Sequence, residues 1–155
     1  MKKRLILAAA STTALLLSCL SAAAVDASYV AKSSASVDAT WAKIGNFCGI
    51  ASWHPALASC DLSTDGKERT LTLKGGGTIV EDLVKWNDKG HSYTYTIKSS
   101  PLPVANYIST IAVKKHGKGS EIVWTGHFKA KGAPAAKAKE TITGIYKAGA
   151  DALAQ

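Results

Sequence analysis

Residues 68–98 read ERTLTLKGGGTIVEDLVKWNDKGHSYTYTIK, and this stretch decides the fold. It contains three runs in which apolar and polar residues alternate, at 68–73, 78–86 and 92–98. Such alternation is typical of half-buried strands. A run of three glycines and the turn Asn-Asp-Lys-Gly separate the runs. Short turns of this kind join antiparallel neighbours, so the stretch predicts a three-stranded meander.

The same alternation continues on both sides of this stretch. One run precedes it at 56–62, and two runs follow it at 106–115 and 121–130. A weaker run at 28–34 predicts a separate first strand. The chain is therefore expected to form a first strand and then about six consecutive antiparallel strands.

Two helices are predicted outside these runs. Ser36 or Asp38 can cap a helix that ends near Gly45, and Pro134 suits the first turn of a long helix that runs to about Leu153. Two glycines inside the second helix lower its helix propensity. The order of elements predicts an α+β fold, in which a curved antiparallel sheet wraps around the long C-terminal helix and leaves a cavity.

The N-terminus has the features of an export signal. Three basic residues at positions 2–4 precede an apolar run, and small residues follow it at the spacing that signal peptidase recognises. We expect residues 1–27 to be a signal peptide, cleaved near Ala27 or after Ala24, and residues 28–155 to form one domain that is periplasmic or secreted. The apolar run is short for a stable transmembrane anchor.

The three cysteines are consistent with this compartment. Cys19 lies in the signal region, where Leu-Leu-Ser-Cys loosely resembles a lipobox, so lipidation of Cys19 is an alternative to cleavage. Cys48 and Cys60 remain as an even pair, which predicts a disulfide in an oxidising space, with two free thiols as the alternative. The sequence contains no CxxC or Cys/His metal spacing, so no metal site is expected.

The chain is basic, with a net charge of +8 from 19 lysine and arginine and 11 aspartate and glutamate residues. The lysines are scattered rather than clustered, so nucleic-acid binding is not expected and a solvated surface is favoured. An acidic periplasmic protein remains an open partner.

Several short motifs, in this order, resemble the polyketide cyclase/dehydrase group of the START-like (SRPBCC) superfamily, and lachrymatory factor synthase-like proteins within it. The motifs are Trp41-x-x-Ile44-Gly45-x-Phe47, Trp53-His54-Pro55, Gly66-x-x-Arg69, Glu81-x-Leu83, Tyr95, Asn106-Tyr107 and Ile122-x-Trp124. The resemblance implies a helix-grip fold with a central hydrophobic cavity. It places Glu81 where the synthases have an acid–base glutamate and Arg69 where they have an arginine. It places His54 near a pocket lysine of the related hormone receptors, and Tyr107 at a pocket tyrosine.

Strand alternation gives independent support for two of these residues. Arg69 shares a strand face with Leu71, and Glu81 shares one with Leu83, so both charges point toward the apolar side. An ion pair across adjacent strands lowers the cost of burial, and such a pair can be purely structural. A carboxylate beside a guanidinium is expected to stay ionised.

Candidate ligand-binding residues are His54, Trp53, Tyr95, Tyr107 and Trp124, each of which can equally be ordinary core. The leading hypothesis is an exported protein that binds a hydrophobic or amphipathic small molecule. A second is a lyase, isomerase or cyclase that needs no cofactor and uses Glu81 and Arg69. A third is an accessory protein of a periplasmic oxidation system.

Overall fold

The structure is a computed structural model that describes residues 23–155. The predicted signal segment up to residue 22, including Cys19, lies outside the described residues. No helix among the described residues is both long and apolar enough to span a bilayer. The elements are β1 (Ala24–Ser33), α1 (Val37–Ile44), α2 (Ile50–Trp53), β2 (Leu57–Leu62), β3 (Glu68–Leu73), β4 (Thr78–Asn87), β5 (Ser92–Ser99), β6 (Val104–His116), β7 (Gly119–Ala130) and α3 (Ala135–Ala154).

The seven strands form one antiparallel sheet in the order β1-β7-β6-β5-β4-β3-β2. The long helix α3 packs on its concave face, chiefly against β1 and β7. The buried face of α3 carries Ile142, Tyr146 and Leu153 at helical spacing. This is the helix-grip architecture that the sequence predicts.

The first strand begins earlier than the prediction. β1 starts at Ala24 rather than residue 28, and its first four residues pair with β7 in continuous register. Val25 and Ala27 are buried there, with 8% and 3% of their surfaces exposed. The alternation from residue 24 onward was obscured by the small residues of the predicted cleavage region. The predicted domain boundary at Ser28 therefore falls inside a strand.

The segment between α1 and β2 is held by a short helix and a disulfide. It contains the short helix α2, and a disulfide joins Cys48 to Cys60 with 5.5 Å between their Cα atoms. This bond links the start of the segment to β2, which is an edge strand. The disulfide thereby holds α2 against the edge strand β2.

The two glycines of α3 have different environments. A methyl group at Gly149 would lie 2.5 Å from His54 Cδ2 and 2.7 Å from Trp124 Cζ3, whereas one at Gly144 would meet nothing within 4 Å. Gly149 is therefore a packing position, which explains why the helix continues through it despite its low propensity.

We expect Gly149→Ala to destabilise the protein by about 1–3 kcal/mol, because the methyl group overpacks against two rings. Gly144→Ala is the matched control, and it should stabilise the protein by about 0.5–1 kcal/mol through helix propensity alone. Urea denaturation of both variants measures the difference. Equal effects would show that α3 does not pack against His54 and Trp124 as described.

Candidate ligand-binding site

A cavity of about 320 Å³ lies between the inner face of the sheet and α3. Most of its wall is aliphatic or aromatic, and Glu81 is the only acidic side chain that lines it among the described residues. The glycine hairpin between β3 and β4 and the loop after β5 border the cavity through Gly75, Gly76 and Leu102. The described wall of the cavity is therefore apolar with a single charged position.

Arg69 and Glu81 are direct cross-strand partners in the register of β3 and β4. Arg69 Nε donates a hydrogen bond to Glu81 Oε2 at 2.7 Å, and Nη2 lies 2.6 Å from the same oxygen without hydrogen-bond alignment. Both residues are buried, with 0% and 5% of their surfaces exposed. The structure thus brings together the two charges that strand alternation placed on the apolar side.

The two partners have different relations to the cavity. Arg69 does not line it: its guanidinium lies 4.0 Å from the centre of the Phe47 ring, and Nη1 donates to the Phe47 carbonyl oxygen. Glu81 lines the cavity, and both Arg69 contacts go to its Oε2. Oε1 has no hydrogen-bond partner among the described residues, so it is the oxygen left to accept a hydrogen bond from a ligand.

Burial raises the pKa of Glu81, and the Arg69 guanidinium offsets only part of this effect. Desolvation is the larger effect, and the expectation from the guanidinium alone does not include it. The pKa of Arg69 is raised: burial lowers it, but Tyr93 and Glu81 more than compensate. Arg69 therefore stays charged, and Glu81 is a stronger base than a solvent-exposed glutamate.

A chain of hydroxyl groups runs from the cavity into the interface with α3. The Tyr107 and Tyr146 hydroxyls are 2.5 Å apart, and Tyr146 is 3.1 Å from Ser109 Oγ, which donates to the Thr125 carbonyl at 2.7 Å. Tyr95 begins the chain at 3.4 Å from Tyr107. Because the last proton is committed to a carbonyl, each hydroxyl donates in turn toward Ser109. The long Tyr95–Tyr107 contact is the weakest link, and a ligand can replace it.

The tyrosines are held as neutral donors. Burial raises the pKa of Tyr95 and Tyr107 well above the usual value, and it raises the pKa of Tyr146 to about 12. Trp124 Nε1 donates to both Tyr95 and Ser109, at 3.1 and 3.0 Å. Tyr95 already accepts from this indole, so its own proton can point to the cavity. The cavity therefore combines a carboxylate acceptor with a phenol donor.

His54 lines the cavity but offers no free nitrogen. The Ala56 amide donates to Nδ1 at 3.2 Å, so Nε2 carries the proton and donates to the Ile145 carbonyl at 3.1 Å. Burial lowers the pKa of His54 and keeps the ring neutral. His54 thus contributes a ring surface to the cavity and links α2 to α3, rather than holding a charged ligand group.

We expect this histidine to make stability pH-dependent. The unfolded chain takes up a proton near pH 6.5 while folded His54 does not, so the free energy of unfolding falls as the pH drops below about 6.5. The slope is at most about 1.4 kcal/mol per pH unit. Urea denaturation between pH 7.5 and 5.5 should show this slope in the wild type and less of it in His54→Gln. The exposed His116→Gln is the control, and an unchanged slope in His54→Gln would contradict the buried neutral ring.

Trp53 is a candidate ligand-binding residue by sequence, but it does not line the cavity. It packs edge-on against Trp124 with 6.1 Å between ring centres, behind the wall that Trp124 and His54 form. Tyr95, Tyr107 and Trp124 line the cavity.

The polar roles of Tyr146 and Ser109 are not predicted from the sequence. Gly126 was the available signal: a methyl group there would lie 2.0 Å from the Tyr146 hydroxyl, so this strand glycine makes room for it.

The sequence profile of the polyketide cyclase/dehydrase and lipid transport family matches residues 24–155. This match covers every helix and strand described above. The chain belongs to this family. No functionally curated protein matches the sequence.

Solved structures of this fold agree with the family assignment. The protein XoxI from Bacillus cereus is 34% identical with a TM-score of 0.81, and the match covers 84% of this chain and 94% of XoxI. An uncharacterised protein from Bacillus thuringiensis is 35% identical with a TM-score of 0.78, over 85% of this chain and 96% of that one. Norcoclaurine synthase from Thalictrum flavum, solved with dopamine and hydroxybenzaldehyde, shares the fold at 22% identity and a TM-score of 0.66, over 99% and 95% of the two chains.

Proposed function

We propose that this family member is an exported protein that binds a hydrophobic or amphipathic small molecule in the cavity under α3. The observation that carries the proposal is an apolar cavity whose wall includes Glu81 and Tyr95, which both lie beside Arg69 and form its polar end. Burial of apolar ligand surface supplies the affinity, and the few polar groups orient the ligand.

The polar end favours a neutral group that can donate and accept hydrogen bonds. Glu81 is balanced by Arg69, so the pair has no excess charge to attract an ion. Glu81 Oε1 can accept from a ligand hydroxyl, and Tyr95 can donate to the same oxygen atom of that hydroxyl. An alcohol or phenol on an otherwise apolar body satisfies both partners.

Turnover without a cofactor is the second candidate. The raised pKa of Glu81 favours it, because a glutamate whose pKa lies closer to neutral accepts a proton more effectively. In this reading Glu81 moves the proton, Tyr95 stabilises developing negative charge, and Arg69 holds the carboxylate in place. Arg69 is then a positioning residue, since it does not reach the cavity.

The neutral fluorescent probe N-phenyl-1-naphthylamine tests the binding site directly. We expect the wild type to enhance its fluorescence, and Leu102→Trp to abolish the enhancement because the larger side chain fills the cavity mouth. Leu62→Trp is the matched control, since Leu62 is an exposed leucine outside the cavity. Equal fluorescence with all three proteins would contradict binding at this site. Glu81→Gln keeps the shape of the side chain but removes its ability to act as a base. This variant therefore tests the turnover hypothesis separately from ligand binding.

We also propose that the protein is exported, and the position of β1 restricts where the signal peptide can be cleaved. Cleavage after Ala27 would remove Val25 and Ala27, which are buried against β7. We propose cleavage after Ala24 or upstream of it, which keeps the buried part of β1. The intact mass of protein isolated from its native compartment tests this proposal. A mature chain that begins at Ser28 would contradict it.

A further inference from the structure

The sheet contains a gap between two of its inner strands. Pairing of β5 with β6 ends at Thr96 and Ile108, although β5 continues to Ser99 and β6 begins at Val104. Beyond that point β5 stays paired with β4, and β6 stays paired with β7. The two strands therefore diverge, and their facing backbone groups have no strand partner across the gap.

Two local features hold the gap open. Asn106 has a left-handed backbone conformation with φ of 51°, at the register shift between β6 and β7. The loop after β5 contains Pro101 and Pro103, and a proline has no N–H to donate to a neighbouring strand. The divergence is thus encoded by the sequence at both sides of the gap.

The gap, which we call the β5–β6 fissure, has a volume of about 560 Å³ and a polar, basic lining. Thr96, Ser99 and Ser100 line it together with Lys98 and Lys131, and none of its lining residues in the described chain is acidic. Ile97 and Tyr107 line both the fissure and the apolar cavity. The two spaces are therefore adjacent and meet at these two side chains.

The two lysines differ in how free their charges are. Lys98 Nζ lies 2.6 Å from Glu68 Oε2, so part of its charge is already balanced. Lys131 forms no ion pair among the described residues. Its backbone amide donates to the Pro103 carbonyl at 3.0 Å, which fixes its position beside the loop. Lys131 is therefore the main uncompensated charge of the fissure.

We propose that the β5–β6 fissure binds the anionic group of an amphipathic ligand whose apolar part occupies the cavity. This inference rests on the proposed function, and it assigns the ligand's charge to a place outside the cavity. The interior cannot accept that charge, because the carboxylate of Glu81 is the only ionised wall residue in the part of the chain that the structure describes. The fissure offers ammonium groups and hydroxyls, which are the donors that a carboxylate or sulfate requires.

Decanoate and 1-decanol test this proposal at pH 8, by displacement of N-phenyl-1-naphthylamine. They share an apolar chain and differ in charge. We expect the wild type to bind decanoate at least about fivefold more tightly than decanol, with the difference shrinking at high salt. Lys131→Gln should remove most of this preference and leave decanol binding unchanged. Lys98→Gln should reduce it less, and Lys115→Gln, at the far end of β6, should have no effect.

Equal affinities of the wild type for the two ligands would overturn the inference while leaving the proposed function intact. An equal loss of affinity for decanoate and for decanol in Lys131→Gln would also overturn the inference. Failure of the wild type to bind either ligand would contradict the proposed function itself. Inorganic sulfate should compete with decanoate but not with decanol. Sulfate binding that leaves decanoate unaffected would indicate a separate anion site and overturn the proposal.

Discussion

Arg69→Met is expected to lower the free energy of unfolding by about 3–5 kcal/mol, because it leaves the Glu81 carboxylate buried without its counter-charge. The Phe47 carbonyl also loses its donor in this variant. Methionine fills much of the space of the arginine stem, so the effect is mainly electrostatic. Urea denaturation measured by circular dichroism gives the value.

Two further variants distinguish a buried ion pair from ordinary loss of packing. Arg69→Met combined with Glu81→Leu removes both charges and should recover part of the lost stability. Lys98→Met removes one partner of the exposed Lys98–Glu68 pair and should have a much smaller effect. If Arg69→Met is no more destabilising than Lys98→Met, the Arg69–Glu81 pair is not buried in solution.

Loss of the disulfide should have the next largest effect. Cys48→Ala with Cys60→Ala should cost about 3 kcal/mol, because the bond restricts the unfolded chain over a separation of 12 residues. Ile50, His54 and Leu57 lie between the two cysteines and form one wall of the cavity. Affinity for N-phenyl-1-naphthylamine should therefore fall together with stability.

Reduction of the wild type provides the matched comparison for this double variant. Dithiothreitol should lower the stability of the wild type to that of the variant and leave the variant unchanged. Two alkylatable thiols in protein isolated without reductant would contradict the bond. Reduction without any change in stability would contradict the role of the disulfide in holding the cavity wall between Cys48 and Cys60.

Much of the fold could be predicted because each strand has an alternating pattern of apolar and polar residues and each turn contains residues typical of turns. The glycine run and Asn-Asp-Lys-Gly define two hairpins, and Ser36 caps α1 by accepting from the Ala39 amide. Long-range effects were harder to predict. β1 begins at Ala24 because β7 provides a pairing partner there, and the residues before Ser28 read more readily as a cleavage region.

The candidate site could be predicted only in part. Pairing of Arg69 with Glu81 follows from alternation on adjacent strands, and the register makes them direct partners. Which of the two faces the cavity depends on where Phe47 packs, and that contact is long-range. Tyr146 and Ser109 meet only when α3 crosses the sheet, and no local pattern indicates this crossing.

Native mass spectrometry of disulfide-intact protein, isolated from its native source without detergent or added ligand, tests the central claim most directly. The account predicts a non-covalent adduct of low molecular mass that is lost on denaturation and is absent from Leu102→Trp isolated in the same way. A bare polypeptide mass for the wild type under both native and denaturing conditions would contradict a ligand-binding role for the cavity.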